Sequence, residues 1–185
     1  MTQLEKFCRI LKERSFEHSS AVELMFNNGH YGQVISILRQ ELDSLVRVIF
    51  LLNIPDLQNR NHYINQTLSN VKWTQPNSRT VITDRQMVEL TDSLHGWTKS
   101  VYKLGCAFIH LSPLIDYKTE NPFLQLAHNE IIDIKRHLND YHGFPLTNEL
   151  NIATISPYLL RVFNKVSSNL AYYIRELEEE VVGNL

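Results

Sequence analysis

The most informative part of this chain is YGQVISILRQELDSLVRVIFLLN, residues 31–53. Its apolar residues recur at helical spacing, and from Leu45 to Leu52 they surround the helix axis on nearly every side. A helix that is apolar all round has to be covered by other helices, so the stretch predicts the central helix of a bundle. We expect it to end before Pro55, because a proline pushes the preceding residue out of the α conformation.

The composition supports a single helical domain. The chain has 185 residues, of which 43% are hydrophobic and 21% are charged, enough for one domain with a full-sized core. Glycine and proline supply only six residues each, so the residues that break helices are few. The sequence therefore predicts an all-α fold, a single up-and-down bundle of five to six helices that spans residues 1–185.

Periodicity and capping residues place the other predicted helices. No segment alternates convincingly with period two, and residues 72–82 are predicted to form a loop ordered by Trp73. The helices are expected at 2–28, at 56–70 with Asp56 as N-cap, at 83–110 capped by Thr83 or Asp84, from Asn121-Pro122 to about 142, and at 153–180.

Several classes of protein are excluded by what the sequence lacks. Two distant cysteines, Cys8 and Cys106, do not make a disulfide scaffold. The N-terminus has no signal-peptide pattern, and the longest apolar run, 48–52, is far shorter than the roughly 20 residues of a membrane span. We therefore expect a cytoplasmic protein that does not enter a membrane. The formal charge of −2 argues against tight binding to a nucleic-acid duplex.

No phosphate-binding loop, serine elbow, zinc motif or paired-cysteine motif is present, so the sequence predicts no cofactor. Histidines allow one alternative, a metal-binding bundle that uses His95, His128, Asp133 and His137. Asp133 and His137 are four residues apart and share a helix face, but His128 falls on the opposite face of an ideal helix. We therefore predict no metal site, and keep the histidine-lined bundle as the weakest alternative.

Charged residues on the central helix form a regular series. Arg39, Asp43 and Arg47 are spaced i, i+4 and i+8, which places them on one face with Asp43 between two guanidinium groups. Two interpretations follow: the arginines bind phosphate, or the series is an ion-pair ladder that fixes the position of the helix. Aromatic side chains that could stack on bases are Trp97, Tyr117 and Tyr141.

A resemblance to a known family rests on two stretches, FNNGHYGQVISILRQELDSLVRVIFLLN (26–53) and YKLGCAFIHLSPL (102–114). The first contains an early Asn-Gly turn followed by a Leu-Arg helix with an apolar run, and the second is a late helix that ends in an aliphatic residue, His and Ser-Pro. Together they resemble the HEPN superfamily, especially its abortive-infection members. The resemblance covers about 40 residues closely and the order of helices loosely.

This resemblance implies a helical bundle that forms a homodimer and works in phage defence or a toxin–antitoxin system. Its partner would be RNA or a protein such as an antitoxin. Many such proteins are metal-independent ribonucleases in which four to six residues separate an Arg from a following His. His110 matches that histidine as the acid–base group and Lys103 stands in the arginine position, with Arg39 or Arg47 as further phosphate cations. Because lysine lacks the planar fork of arginine, a non-catalytic interaction module is the alternative.

Overall fold

The structure is a computed structural model that describes residues 1–109 and 116–182. The described residues form seven α-helices and one short 3-10 turn at Pro122–Gln125, and they contain no named strand. The all-α fold is confirmed. The helices are α1 (Gln3–Asn27), α2 (Tyr31–Leu52), α3 (Leu57–Leu68), α4 (Asp84–His95), α5 (Thr98–Ile109), α6 (His128–His142) and α7 (Ile152–Val182).

Helix α2 occupies the centre of the bundle, as its apolar circumference predicts. It packs against α1, α4, α5 and α7, and its most extensive contact is with α7. Twelve of its 22 residues are buried, among them the charged Arg39 and Glu41. Because neighbours cover α2 on several sides, any polar group on it has to find a partner inside the protein.

The capping residues explain why several helices begin where they do. Thr2 and Glu5 form a reciprocal capping box at α1. Thr83 and Gln86 form another at α4, and Asp56 accepts a hydrogen bond from the first turn of α3. The predicted starts at Asp56 and Thr83 are confirmed, as are the extents of α1, α2 and α7 to within one or two residues.

Two predicted helices are wrong in their extent, so the structure has more helices than the five or six expected. The helix predicted over 83–110 is two helices, because Gly96 adopts φ +70° and ends α4. The helix predicted from Asn121-Pro122 is only a 3-10 turn there, and α6 begins at His128. In both places apolar residues at helical spacing continue past a point where the backbone is no longer α-helical.

A buried polar network joins α1, α2 and α7. Glu41 is completely buried; one of its carboxylate oxygens accepts a 2.5 Å hydrogen bond from Ser15 and the other lies 2.7 Å from His18 Nδ1. Ser15 also lies 3.2 Å from Ser167 on α7. Since each polar group is paired, the network fixes how the three helices meet.

The loop between α3 and α4 is held by Trp73, as predicted. The indole is 3% exposed, donates a 2.7 Å hydrogen bond to Thr67, and packs against the rings of Phe50 and Tyr63. A single antiparallel bridge between Thr74 and Val81 closes the loop. The loop therefore forms a fixed wall beside α1 and α2.

Among the described residues, no helix combines the length and the apolar character that crossing a bilayer requires.

Candidate functional site

Arg39 and Arg47 of α2 converge on one carboxylate, that of Asp84. Arg39 Nη2 lies 3.3 Å from Asp84 Oδ2, and Arg47 Nη2 lies 2.9 Å from Asp84 Oδ1. Arg47 also pairs with Asp43 on its own helix, with 3.0 Å between Nε and Oδ2. We call these four residues the arginine cluster; it contains two cations and two anions.

The position of Arg39 depends on a close approach of α5. Its guanidinium carbon lies 4.2 Å from the centre of the Tyr102 ring, and its aliphatic part passes beside Gly105. A methyl group at Gly105 would come within 2.5 Å of the Arg39 Cβ, so only glycine allows this packing. Burial works against the charge of Arg39, but its contacts with Cys106 and the nearby carboxylates outweigh burial and raise its pKa.

The sequence places Asp43 between the two arginines, and the structure assigns it to Arg47. The residue that joins both arginines is Asp84, which follows the N-cap of α4 and is 37 residues beyond Arg47 in sequence. Arg39 Nε and Asp43 Oδ1 are buried without a hydrogen-bond partner among the described residues. The arginines of the series therefore do form ion pairs. Their shared partner, Asp84, lies on another helix, so helical spacing could not predict it.

A groove of about 630 Å³ opens beside the arginine cluster, between α1, α2 and the loop that follows α3. Apolar side chains of α1 and the loop line it, including the partly exposed Ile10, Val71 and Val81. Its cations are Arg14, Arg47 and Lys72. They come from three separate segments, so their spacing in the sequence did not predict that they lie together. We call this the cationic groove.

Lys103 lies apart from the arginine cluster. It forms an ion pair with Glu130 of α6, and this hydrogen bond is the main reason that the pKa of Glu130 is lowered. On α5 the residues that contact Arg39 are Tyr102, Gly105 and Cys106, so Lys103 is directed to another side of the helix. The structure therefore does not bring Lys103 and Arg39 to a common point.

His110, the predicted acid–base residue, lies outside the described residues. Among residues 1–109 and 116–182, no three histidine, cysteine or acidic side chains are grouped as a metal site would require. Of the four candidates for such a site, Asp133 pairs with Arg136 and His137 lies 2.8 Å from the Ser100 hydroxyl. Their arrangement does not favour the histidine-lined metal alternative.

A second cluster of functional groups lies between α5, α6 and α7, around Lys165. The Lys165 ammonium is 2.9 Å from the centre of the Tyr141 ring and 5.3 Å from that of Trp97. His142 also lines the small pocket beside it, and burial is the main reason that the pKa of His142 is lowered. We call this the Lys165 pocket.

Sequence reasoning singled out the aromatic residues of this pocket but missed its lysine. Trp97 is 5% exposed, so it cannot offer an open face to a base, whereas Tyr141 is 47% exposed but has Lys165 above its ring. Tyr117, the third predicted stacking residue, accepts a 3.3 Å hydrogen bond from the Gly32 amide. The sequence signal for Lys165 is weak, since it is a single lysine on a long amphipathic helix.

Comparisons with protein-family models, with curated proteins and with solved structures find no significant match to this chain.

Proposed function

We propose that this protein is a HEPN-like helical bundle that engages single-stranded RNA through the cationic groove. The observation that carries the proposal is that two of the three cations in the groove are not paired with an anion. Arg47 pairs with two aspartates, but the side chains of Arg14 and Lys72 have no hydrogen bond or ion pair within the described part of the chain. Two free cations at the edge of a groove are suited to phosphates.

Single-stranded RNA fits this groove better than a duplex does. The whole chain carries a formal charge of −2, and a duplex-binding protein ordinarily presents a strongly basic face. The exposed apolar side chains of Val71 and Val81 offer a surface for unstacked bases, which a duplex keeps inside. With two unpaired cations, we expect weak binding with a modest salt dependence, a slope of about −1.4 for log affinity against log salt.

The arginine cluster would support this site without binding the RNA itself. Arg39 is 5% exposed, and the two aspartates already occupy both guanidinium groups. In this proposal the arginine cluster holds α2, α4 and α5 in their relative positions. This fixes the part of the groove wall that Arg47 and Asp84 form.

A labelled single-stranded RNA and fluorescence anisotropy test the proposal. Arg14→Ala/Lys72→Ala should weaken binding and reduce the slope of log affinity against log salt by about 1.4, the value for two phosphate contacts on a single strand. The matched control, Lys118→Ala/Arg161→Ala, removes two exposed cations outside the groove and should leave both quantities unchanged. Absence of binding, or an equal loss in the two double variants, would rule out the groove as the RNA site.

Cleavage of the bound RNA is the second part of the proposal and rests on the resemblance to HEPN ribonucleases. In that mechanism His110 would move the proton of the attacking 2′-hydroxyl, and Lys103 would leave its ion pair with Glu130 to stabilise the phosphate, without a metal ion. The test is RNA cleavage by the purified protein in EDTA, alongside His110→Ala. Loss of cleavage in the variant supports a ribonuclease, and RNA binding without cleavage by the wild type leaves a non-catalytic RNA-binding module.

The alternative, an interaction module, is favoured by one feature of α1. Phe16 and Leu24 lie on the same side of this helix and are 74% and 59% exposed. Exposed apolar side chains of this size commonly mark a protein interface. A homodimer through this face, or an antitoxin-like partner in a defence system, would cover them. Phe16→Ser/Leu24→Ser should then convert a dimer to a monomer in light scattering, and a wild-type monomer would argue against the homodimer.

A further inference from the structure

A polar cleft of about 150 Å³ lies where the end of α4 and the first turns of α5 face α6, and it shares no lining residue with the cationic groove. Ser100 of α5 and His137 of α6 meet in it, with 2.8 Å between the Ser100 hydroxyl and His137 Nδ1. We call it the Ser100 cleft. We propose that this pair is a nucleophilic site for short-chain esters, in which Ser100 attacks the carbonyl carbon and His137 takes the proton of the hydroxyl.

The hydrogen bond of Ser100 differs from those of other helical serines in the described chain. A serine inside a helix commonly bonds the backbone carbonyl of the preceding turn, and Ser19, Ser20 and Ser36 do so here. Ser100 instead reaches across to a histidine of another helix, and both side chains are partly exposed at the cleft. A partly exposed serine hydroxyl held against a base is the arrangement that activates serine as a nucleophile.

His137 is in the protonation state that a base requires. Burial is the main reason that its pKa is lowered, so the ring is neutral at pH 7. With the ring proton on Nε2, Nδ1 accepts the hydrogen bond from Ser100 and can take its proton. The carboxylates of Asp133 and Asp92 act on the pKa of His137 in the opposite direction, so their charge would stabilise the imidazolium that forms.

One cation of the Ser100 cleft is available for the carbonyl oxygen of the ester. Lys103 is paired with Glu130, and Arg136 is paired with Asp133. The exposed side chain of Lys99, which also lines the cleft, has no ion pair within the described part of the chain. A single ammonium group matches the single negative charge that develops on the carbonyl oxygen during attack.

The size and the walls of the Ser100 cleft limit the acyl group. At about 150 Å³ it has the volume that admits benzene to an apolar cavity, so an acetyl or propionyl group fits. Ile134 is the one aliphatic side chain among the described residues that line it. Walls this polar do not suit a long hydrocarbon chain, so the substrate class is esters of short carboxylic acids.

The two residues would hydrolyse such an ester in two stages. The Ser100 oxygen bonds to the carbonyl carbon while its proton passes to His137 Nδ1, and the charged carbonyl oxygen lies towards Lys99. The bond between that carbon and the alcohol oxygen then breaks, and the alcohol oxygen takes the proton from His137. Water repeats these steps on the acyl-serine, which releases the carboxylic acid and restores Ser100.

Hydrolysis of p-nitrophenyl acetate by the wild-type protein tests the proposal, and mass spectrometry of the acid-quenched protein locates the acetyl group. We expect turnover above the rate in buffer and an acetyl group on Ser100. No turnover, or acetylation confined to other residues, would overturn the proposal.

Two variants separate the roles of the pair. Ser100→Ala should abolish turnover, and His137→Gln, which keeps a hydrogen-bonding group but removes the base, should slow it at least about 100-fold. The matched control is Ser20→Ala, which removes an exposed serine of α1 that bonds a backbone carbonyl, and it should react at the wild-type rate. Unchanged turnover in a natively folded Ser100→Ala or His137→Gln would overturn the proposal. If these variants do not fold, the position of the acetyl group in the wild type decides it.

Discussion

Gly105 is the position where a single methyl group tests the packing behind the arginine cluster. Alanine in the interior of an exposed helix is ordinarily stabilising by about 1 kcal/mol relative to glycine. At Gly105, however, the new Cβ would meet the Cβ of Arg39 at 2.5 Å and its Cγ and Cδ at 2.9 Å. The nearest of these atoms is the root of a side chain, so it can move only if helix α2 moves with it.

The two effects can be weighed against each other. To reach the 3.4 Å of ordinary contact, α2 and α5 would have to separate by roughly 1 Å, and overpacking of this kind costs up to about 3 kcal/mol. After the gain in helix propensity, Gly105→Ala should lose about 2 kcal/mol of unfolding free energy. For a chain of this length the melting temperature should fall by about 4–8 °C.

Urea unfolding followed by circular dichroism measures the loss directly, and a thermal melt checks it. Lys99→Ala is the control on the same helix, since its side chain is exposed, and it should stay within about 0.5 kcal/mol of the wild type. Gly105→Val should be worse than Gly105→Ala. If Gly105→Ala were as stable as the wild type or more so, Arg39 would not pass against α5 as described, and the account of the arginine cluster would fail.

Two further predictions concern the buried His18 and the half-buried His95 and His142. Glu41→Ala leaves His18 buried without its carboxylate and should cost about 3–5 kcal/mol of unfolding free energy in urea; a loss below about 1 kcal/mol would show that the network contributes little. Burial lowers the pKa of His95 and His142, so the unfolded chain binds more protons below the ordinary value of 6.5 and stability should decline as the pH falls from about 7 to about 5. His95→Phe should flatten that decline, and an unchanged slope would contradict its origin in His95.

Local sequence signals were sufficient for most of the fold. The apolar circumference of α2 predicted a central helix, and Thr83 and Asp56 predicted helix starts, because periodicity and capping act within a few residues. The prediction failed where an apolar series continued across Gly96, whose left-handed backbone ends α4. It failed again after Pro122, where the chain makes a 3-10 turn before α6 begins. Apolar spacing reports which side chains are inward, and it does not report whether the backbone between them is one helix.

The sequence alone determined that this protein is an all-helical domain with Arg39 and Arg47 on one face of its central helix, since those properties depend on neighbours three and four residues apart. Three contacts depend on the tertiary structure: Asp84 pairs with both arginines, Lys103 pairs with Glu130, and Lys165 packs against the ring of Tyr141. These contacts join residues between 24 and 45 positions apart. They depend on how the helices cross, which is set by packing such as that at Gly105 and has no local sequence signature.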